Sequence, residues 1–217
     1  MKILPRPLVL PFRLALLMFG ILTATLSAQP RVEIASPTDN ELVSSGKTLT
    51  VVVKATGGTF DLVGLLVETP LVSRETLAKP PYRFSITVPN TIPSGRYAIT
   101  ALGSVVSGQG YKSEPISVQI ERPDSPERLN VTPSILGFDG IDDSGHLRLY
   151  GLFADGSKID LTHSSLTRYV SDDPRVAVAD DQGMVTAKGS GSTRIRISNA
   201  GRTVSVPVTV PSRKLAN

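Results

Sequence analysis

The chain has 217 residues, of which 40% are hydrophobic and 5% aromatic, and it contains 18 glycines, 17 prolines and no tryptophan. Short runs of valine, isoleucine, threonine and leucine between these turn-forming residues indicate an all-β protein with one large or two small domains. The net charge is +4, but three cations and no acids lie in residues 1–28, which leaves 4 − 3 = +1 for the rest. Since nucleic-acid binding needs a clustered basic face, this balance excludes it.

Residues 1–28 have the form of a secretory signal peptide. Three cations precede an uncharged apolar run of 13 residues, Leu14 to Leu26, which is followed by small residues. A membrane-spanning helix needs about 20 apolar residues, so we expect no transmembrane span in the mature chain. Cleavage is expected after Ser27 or Ala28. The mature protein is therefore predicted to be exported, either periplasmic or extracellular, and the absence of cysteine excludes disulfide bonds there.

Residues 29–121 contain several runs in which hydrophobic and polar residues alternate. This period of two predicts strands with one buried and one exposed face, and hence one antiparallel β-sandwich. The residues expected to face the core are Leu49, Val51 and Val53, then Tyr82, Phe84, Ile86 and Val88, then Tyr97, Ile99 and Ala101, then Ile116, Val118 and Ile120. The run Leu62 to Val67 is apolar on both faces, which favours a buried central strand over a strand that contacts a partner.

A second unit follows residues 122–127, whose two prolines and charges predict a short, stiff linker. In residues 128–211 the alternation returns, and Pro207 in the last strand predicts a sheet edge or a bulge because proline cannot donate to a ladder. Val176 and Val178 before Asp-Asp-Gln-Gly, with Met184 to Ala187 after it, predict a hairpin. Residues 212–217 form a tail without a wall-sorting signal, so no covalent tether is expected.

Residues 129–210 resemble the bacterial immunoglobulin-like group 2 (BIG2) family. The motifs that carry this resemblance are Val131-Thr132-Pro133, Asp155-Gly156-Ser157, Tyr169 to Pro174, Val176-Ala177, Gly183 to Gly189, Gly191 and Ile195. Tyr169 stands where the family commonly has tryptophan, so its hydroxyl needs a hydrogen-bond partner. The resemblance implies an immunoglobulin-like (Ig-like) sandwich of an envelope or extracellular protein, used for adhesion or as a spacer, and it implies no catalytic residues.

Residues 31–121 resemble other bacterial Ig-like modules more loosely, through Ser36-Pro37, Pro80-Pro81-Tyr82 and Gly95-Arg96-Tyr97. These positions are mostly turn and core residues. Together the two resemblances predict two tandem Ig-like antiparallel β-sandwiches, of residues 29–121 and 128–211.

Two clusters of polar residues could carry chemistry. Asp160, His163, Ser164 and Ser165 are close in sequence, as in a hydrolase triad, but triads are defined by spatial geometry and these residue types also fill ordinary loops. Paired aspartates supply hard oxygens of the kind that calcium prefers. The candidate calcium ligands are Asp142, Asp143, Asp180 and Asp181. Turn formation by aspartate and glycine accounts for the same residues, so no cofactor is expected unless calcium binds.

The composition and motifs favour an exported, non-enzymatic Ig-like module that binds an envelope or extracellular glycan or protein, with no nucleic-acid partner. The alternative is a structural spacer without a ligand of its own. A third possibility, a metal-dependent or hydrolytic enzyme, is disfavoured because the chain has only two histidines.

Overall fold

The computed structural model describes residues 29–212, in which strands form all of the regular structure. The predicted signal peptide and nearly all of the predicted tail lie outside the described residues. The strands of the first sandwich are β1 (Arg31–Ser36), β2 (Glu41–Ser44), β3 (Thr48–Thr56), β4 (Phe60–Val67), β5 (Thr76–Leu77), β6 (Tyr82–Thr87), β7 (Gly95–Val105), β8 (Gly110–Lys112) and β9 (Ile116–Glu121). Within residues 29–212 there is no apolar helix long enough to cross a bilayer.

Two sheets make up the first sandwich, one in the order β1-β3-β6 and the other in the order β2-β9-β7-β4-β5, with β8 paired to β7. All of these pairs are antiparallel except β2 with β9, which is parallel. The core lies between the sheets, and Val51, Phe84 and Ile99 within it are fully buried. These residues belong to the alternating faces that the sequence predicts, so the pattern identifies the core correctly.

The second sandwich has ten strands. They are β10 (Arg128–Thr132), β11 (Leu136–Gly137), β12 (Ser144–His146), β13 (Arg148–Leu152), β14 (Lys158–Asp160), β15 (Arg168–Ser171), β16 (Ala177–Ala179), β17 (Met184–Ala187), β18 (Gly191–Asn199) and β19 (Arg202–Val210). Their sheet orders are β10-β13-β14, β11-β19-β18-β15 and β12-β17-β16. The core of this unit has its own buried residues, such as Leu149 and Ile197, and it spans residues 129–210, whereas the first core spans 32–120. Residues 29–212 therefore form two tandem Ig-like sandwiches, which is the predicted fold class.

The strand that is apolar on both faces, β4, lies between β7 and β5 in its sheet. Val63 faces the core and is fully buried, whereas Leu62 and Leu66 face outward with 47% and 56% of their surface exposed. The strand lies between two others, as predicted, but the expectation that both of its faces are buried is wrong for the outward face. The outward leucines are exposed because the structure places no second layer over that face in residues 29–212.

The last strand, β19, pairs with β18 in an unbroken register that joins Pro207 to Arg194. On its other side, β11 pairs only with Val208 and Thr209. In the described part of the chain, Pro207 therefore lies where β19 has one hydrogen-bonded neighbour. Of the two predicted positions for Pro207, a sheet edge or a bulge, the structure shows the sheet edge.

The predicted hairpin is formed by β16 and β17, with Ala177 opposite Ala187. Its turn places Gly183 at a φ of +82°, which side chains rarely adopt. A Cβ at this position would lie 2.5 Å from the carbonyl oxygen of Leu147. The turn therefore needs glycine for two reasons, its backbone conformation and its close approach to a neighbouring strand.

Candidate binding site between the two sandwiches

A buried carboxylate joins the two sandwiches. Glu121, the last residue of β9, is 7% exposed. Its carboxylate accepts hydrogen bonds from the Ser164 hydroxyl at 2.7 Å and from the Ser165 amide at 2.6 Å, both in the loop between β14 and β15. The side-chain amide of Gln119 donates a further bond at 2.8 Å. Since a buried carboxylate requires such donors, this loop has one favourable position against the first sandwich.

The loop is held on its other side by the second sandwich. Asn199, which is 3% exposed, donates from its amide to the hydroxyl oxygens of Ser164 at 3.2 Å and Thr167 at 2.9 Å. The Thr167 hydroxyl in turn donates to the carbonyl of Leu161 at 2.7 Å. Ser164 thus connects Glu121 to the second sandwich, because its hydroxyl donates to the Glu121 carboxylate and accepts from the Asn199 amide.

Two further contacts cross the boundary. The Ser94 amide donates to the carbonyl of Asp160 at 2.9 Å. A Cβ on Gly95 would lie 3.3 Å from the Cβ of His163, so the two backbones are close here. These contacts and the Glu121 cluster form one continuous seam, which we call the Glu121 seam.

The first linker residue, Arg122, is packed against the second sandwich with 9% of its side chain exposed. Its guanidinium donates to the Asp155 carboxylate at 2.6 Å and lies 4.4 Å from the centroid of the Phe153 ring. The Ser157 hydroxyl, followed by Arg122, holds the pKa of Asp155 well below its usual range. Pro126, also buried, accepts a bond from the Arg202 side chain at 3.3 Å. The linker is therefore held at Arg122 and Pro126, whereas the three residues between them are exposed.

Beside the Glu121 seam lies a cleft of about 460 Å³ with walls from both sandwiches. This volume falls within the range of small-molecule sites, about 300–1,000 Å³. Most of the residues that line it are polar or charged. They include Glu68, Arg96, Tyr97 and Gln119 from the first sandwich, and His163, Ser165, Arg168, Asp181 and Gln182 from the second. We call this site the interdomain cleft.

Hydrogen bonds to the backbone fix several side chains of the interdomain cleft. Glu68 accepts from the Ala98 amide at 3.0 Å, and the Tyr97 hydroxyl donates to the carbonyl of Pro93 at 2.8 Å. Burial, with the nearby carboxylates of Glu68 and Asp160, raises the pKa of Tyr97 to about 12. At neutral pH, Tyr97 is therefore uncharged and its hydroxyl has a fixed direction.

The four residues that resemble a triad in sequence lie at the Glu121 seam. The Asp160 carboxylate accepts from the Thr162 amide at 2.8 Å, and the Ser164 hydroxyl donates to Glu121. Within residues 29–212, His163 forms no hydrogen bond with Asp160 or with Ser164. The geometry therefore does not pair Ser164 with His163, and the Ser164 hydroxyl bonds to the Glu121 carboxylate across the boundary between the two sandwiches.

The candidate calcium ligands lie in two separate places. Asp142 and Asp143 precede β12, whereas Asp180 and Asp181 precede β17, and these strands are antiparallel, so the two pairs occupy opposite ends of the β12–β17 ladder. In residues 29–212 no group of three acidic or histidine side chains is arranged to hold a metal ion. The structure thus does not bring the four carboxylates together.

Two of these carboxylates bond to the backbone of their own turns. Asp143 accepts from the amides of Asp139 at 3.0 Å and Gly140 at 2.9 Å, and Asp180 accepts from those of Gln182 and Met184. Calcium binding by either pair stays a prediction. A melting temperature raised by calcium in the wild type, but not in Asp143→Asn or Asp180→Asn, would establish it, and equal melting temperatures in calcium and EDTA would remove it.

The main functional residues that the sequence analysis misses are Glu121 and Arg122. Both follow the alternating run Ile116, Val118 and Ile120, and the period places Glu121 on the outward face. The one available signal is their position next to the linker. The hydroxyl of Tyr169, by contrast, has the partner that it was expected to need, since it donates to the carbonyl of Thr162 at 3.3 Å.

Comparison with family models gives two matches. Residues 30–101 match the model described as bacterial Ig domain, and residues 164–201 match the model described as intimin, immunoglobulin-like domain. The chain therefore contains bacterial Ig-like domains, as the resemblances implied. The second match is to the intimin model and not to the BIG2 family, which residues 129–210 resemble. What the two matches share is the bacterial Ig-like domain, and this is the class that they show. No curated protein matches the chain.

Solved structures with similar folds include fibronectin(III)-like modules of CbhA from Clostridium thermocellum, at 22% identity over 41% of this chain and 93% of that one, with a TM-score of 0.36. An endo-β-1,4-mannanase from Thermotoga petrophila matches at 15% identity over 46% of this chain, with a TM-score of 0.35, and this chain spans 21% of the mannanase. The D00-D0 domain of intimin matches at 8% identity over 83% of this chain and 100% of that one, with a TM-score of 0.35.

Proposed function

We propose that the chain is an exported, non-enzymatic binding module that attaches to an envelope or extracellular glycan or protein through the interdomain cleft. The observation that carries this proposal is the Glu121 seam, where a buried carboxylate fixes two sandwiches that each supply one wall of the cleft. The matches to bacterial Ig-like domains support an extracellular binding or structural module.

A fixed seam favours binding for an energetic reason. A ligand that contacts two mobile domains must also order them, and this cost reduces its affinity. Here the contacts of Glu121 and Arg122 hold both walls in place before any ligand arrives. The binding free energy can therefore be used for contacts with the ligand itself.

The hydrogen bonds of Asp160 and Ser164 support the non-enzymatic part of the proposal. Ser164 donates to Glu121, and Asp160 accepts from a backbone amide, so neither is paired with His163. Turnover of an ester, amide or glycoside by the purified chain, lost in His163→Ala, would overturn this part.

The same seam also fits the alternative, a spacer that sets a fixed angle between two modules. A spacer needs the buried contacts of Glu121 but not the polar side chains that line the interdomain cleft. The purified, exported chain should therefore be incubated with native envelope extract, alongside Arg96→Gln and the control Arg83→Gln, whose side chain is exposed on β6.

We expect the wild type and Arg83→Gln to retain the same envelope component and Arg96→Gln to retain less of it. Retention of nothing by the wild type would contradict binding and favour the spacer. Fractionation of the producing cells, with detection of the chain in the periplasm and the medium, separates the two possible compartments.

A further inference from the structure

Two arginines face the interdomain cleft from opposite walls. Arg96 lies on β7 beside Gln119 of β9. No carboxylate in residues 29–212 forms an ion pair with the Arg96 guanidinium. A positive charge of the first wall is therefore left without a partner and is available to an anionic ligand.

On the second wall, Arg168 is held by its own loop. Its Nη1 donates to the carbonyls of Ser165 at 2.7 Å and Thr167 at 2.9 Å. In the described part of the chain, no residue accepts from its Nη2. The guanidinium is thus oriented before binding and keeps free donors, which suits recognition of a carboxylate.

The cleft also contains acceptors, so a ligand that carries anionic groups alone does not match its lining. Glu68 and Asp181 line it, and each already accepts one hydrogen bond, Glu68 from the Ala98 amide and Asp181 from the Gln182 side chain. These carboxylates repel a dense array of negative charges but accept readily from hydroxyl groups. The ligand should therefore carry hydroxyls as well as carboxylates.

We propose that the interdomain cleft binds a short acidic oligosaccharide, with carboxylates paired to Arg96 and Arg168 and sugar hydroxyls bonded to Glu68, Asp181 and Gln182. Sugar hydroxyls both donate and accept, and so they match a cleft that offers both kinds of group. This inference rests on the proposed function and names the ligand class of the same site.

An acidic peptide is the competing ligand class because it also carries carboxylates. Peptide sites usually supply pockets for alternate side chains of the peptide. The apolar part of this cleft is limited to Pro93, Gly95 and the ring of Tyr97, and its other lining residues are polar or charged. The lining thus favours a saccharide.

The test is isothermal titration of the purified, exported chain with three probes of similar length: trigalacturonic acid, neutral maltotriose and triglutamate. We expect trigalacturonic acid to bind at least about tenfold more tightly than maltotriose, which has no carboxylate for the arginines. It should also bind at least about tenfold more tightly than triglutamate, which has no sugar hydroxyls for Glu68, Asp181 and Gln182. Arg96→Gln and Arg168→Gln should each weaken that binding by about tenfold or more, whereas Arg83→Gln should not change it.

Circular dichroism and melting of each variant separate loss of binding from loss of folding. If Arg168→Gln is unstable, Arg96→Gln is the decisive variant because it breaks no hydrogen bond within residues 29–212. Triglutamate that binds as tightly as trigalacturonic acid would overturn the saccharide class. No effect of Arg96→Gln would overturn the site. If the chain retains envelope material but binds none of the three probes, this inference fails while the proposed function stands.

Discussion

Two acidic residues of this chain differ in what their carboxylates connect. Asp180 is exposed and accepts from the amides of Gln182 at 2.9 Å and Met184 at 2.8 Å, so all of its partners lie within four residues. Glu121 is buried, and its partners Ser164 and Ser165 lie 43 and 44 residues further along the chain. The first carboxylate shapes its own turn, whereas the second joins two separate cores.

Burial and sequence separation together decide whether a carboxylate stabilises its own turn or joins distant parts of the chain. An exposed acceptor exchanges its partners with water at little cost, so Asp180 contributes modestly. A buried carboxylate without its donors is costly, so Glu121 favours the arrangement that supplies them. Variants on each side of this comparison should differ accordingly in the free energy of unfolding.

The largest loss of stability is expected in the hairpin turn, from a change at Gly183 and not from a change at Asp180. Gly183→Ala forces a side chain into a φ of +82° and places Cβ 2.5 Å from the Leu147 carbonyl oxygen. We expect a loss of about 3 kcal/mol in the free energy of unfolding, measured by urea denaturation. The control is Gly156→Ala, at a φ of +80° with no atom within 4 Å, which should cost about 1 kcal/mol. Equal losses would show that the close approach to Leu147 contributes nothing.

The next largest effect is expected at the Glu121 seam. Glu121→Gln keeps the side chain's shape but replaces a charged acceptor of three hydrogen bonds with a neutral amide that has one acceptor oxygen, so we expect a loss of about 2 kcal/mol. Glu114→Gln is the matched control because Glu114 is exposed, and it should change stability by less than about 0.5 kcal/mol. If both variants unfold at the same urea concentration, the buried carboxylate does not stabilise the seam.

Adjacent serines of the seam offer a finer comparison. Ser164 uses its hydroxyl, which donates to Glu121 and accepts from Asn199, whereas Ser165 donates to Glu121 through its backbone amide. Ser164→Ala should therefore cost about 1 kcal/mol, and Ser165→Ala should cost less than about 0.5 kcal/mol. The reverse order in thermal and urea denaturation would mean that the two donors are assigned wrongly.

The last effect is a change in stability that appears only at alkaline pH. The pKa of Tyr97 is raised from 10.0 to about 12, so above pH 10 the folded chain keeps a proton that the unfolded chain loses. Stability from this group is therefore complete below pH 10 and is lost as the pH rises toward 12. Tyr97→Phe should reduce the slope without abolishing it, because burial also raises the pKa of Tyr169. Identical slopes from urea denaturation between pH 10 and 12 would contradict this.

The sequence predicts the features that depend on neighbours along the chain. Alternation identifies core residues such as Phe84 and Ile197, and the Asp-Asp-Gln-Gly segment identifies the hairpin, because strand faces and turns are set within a few residues. The Glu121 seam is not predictable in this way. Alternation places Glu121 on the outward face, and the loop that contains Ser164, distant in sequence, contacts its carboxylate there.

The same limit explains the resemblance of Asp160, His163, Ser164 and Ser165 to a catalytic cluster. Nearness in sequence suggests that they contact one another, but the Ser164 hydroxyl and the Ser165 amide both bond to Glu121 instead. A sequence pattern shows which residues are neighbours along the chain, and the fold decides which side chains meet.

The fixed arrangement of the two sandwiches can be tested by a distance between spin labels. The chain has no cysteine, so Thr50→Cys in the first sandwich and Ser205→Cys in the second provide two exposed labelling sites without background. We expect double electron–electron resonance to give one narrow distance distribution for the doubly labelled chain and a broader one when Glu121→Gln is added. A broad distribution in the chain that retains Glu121 would contradict a fixed seam, and with it a preformed interdomain cleft.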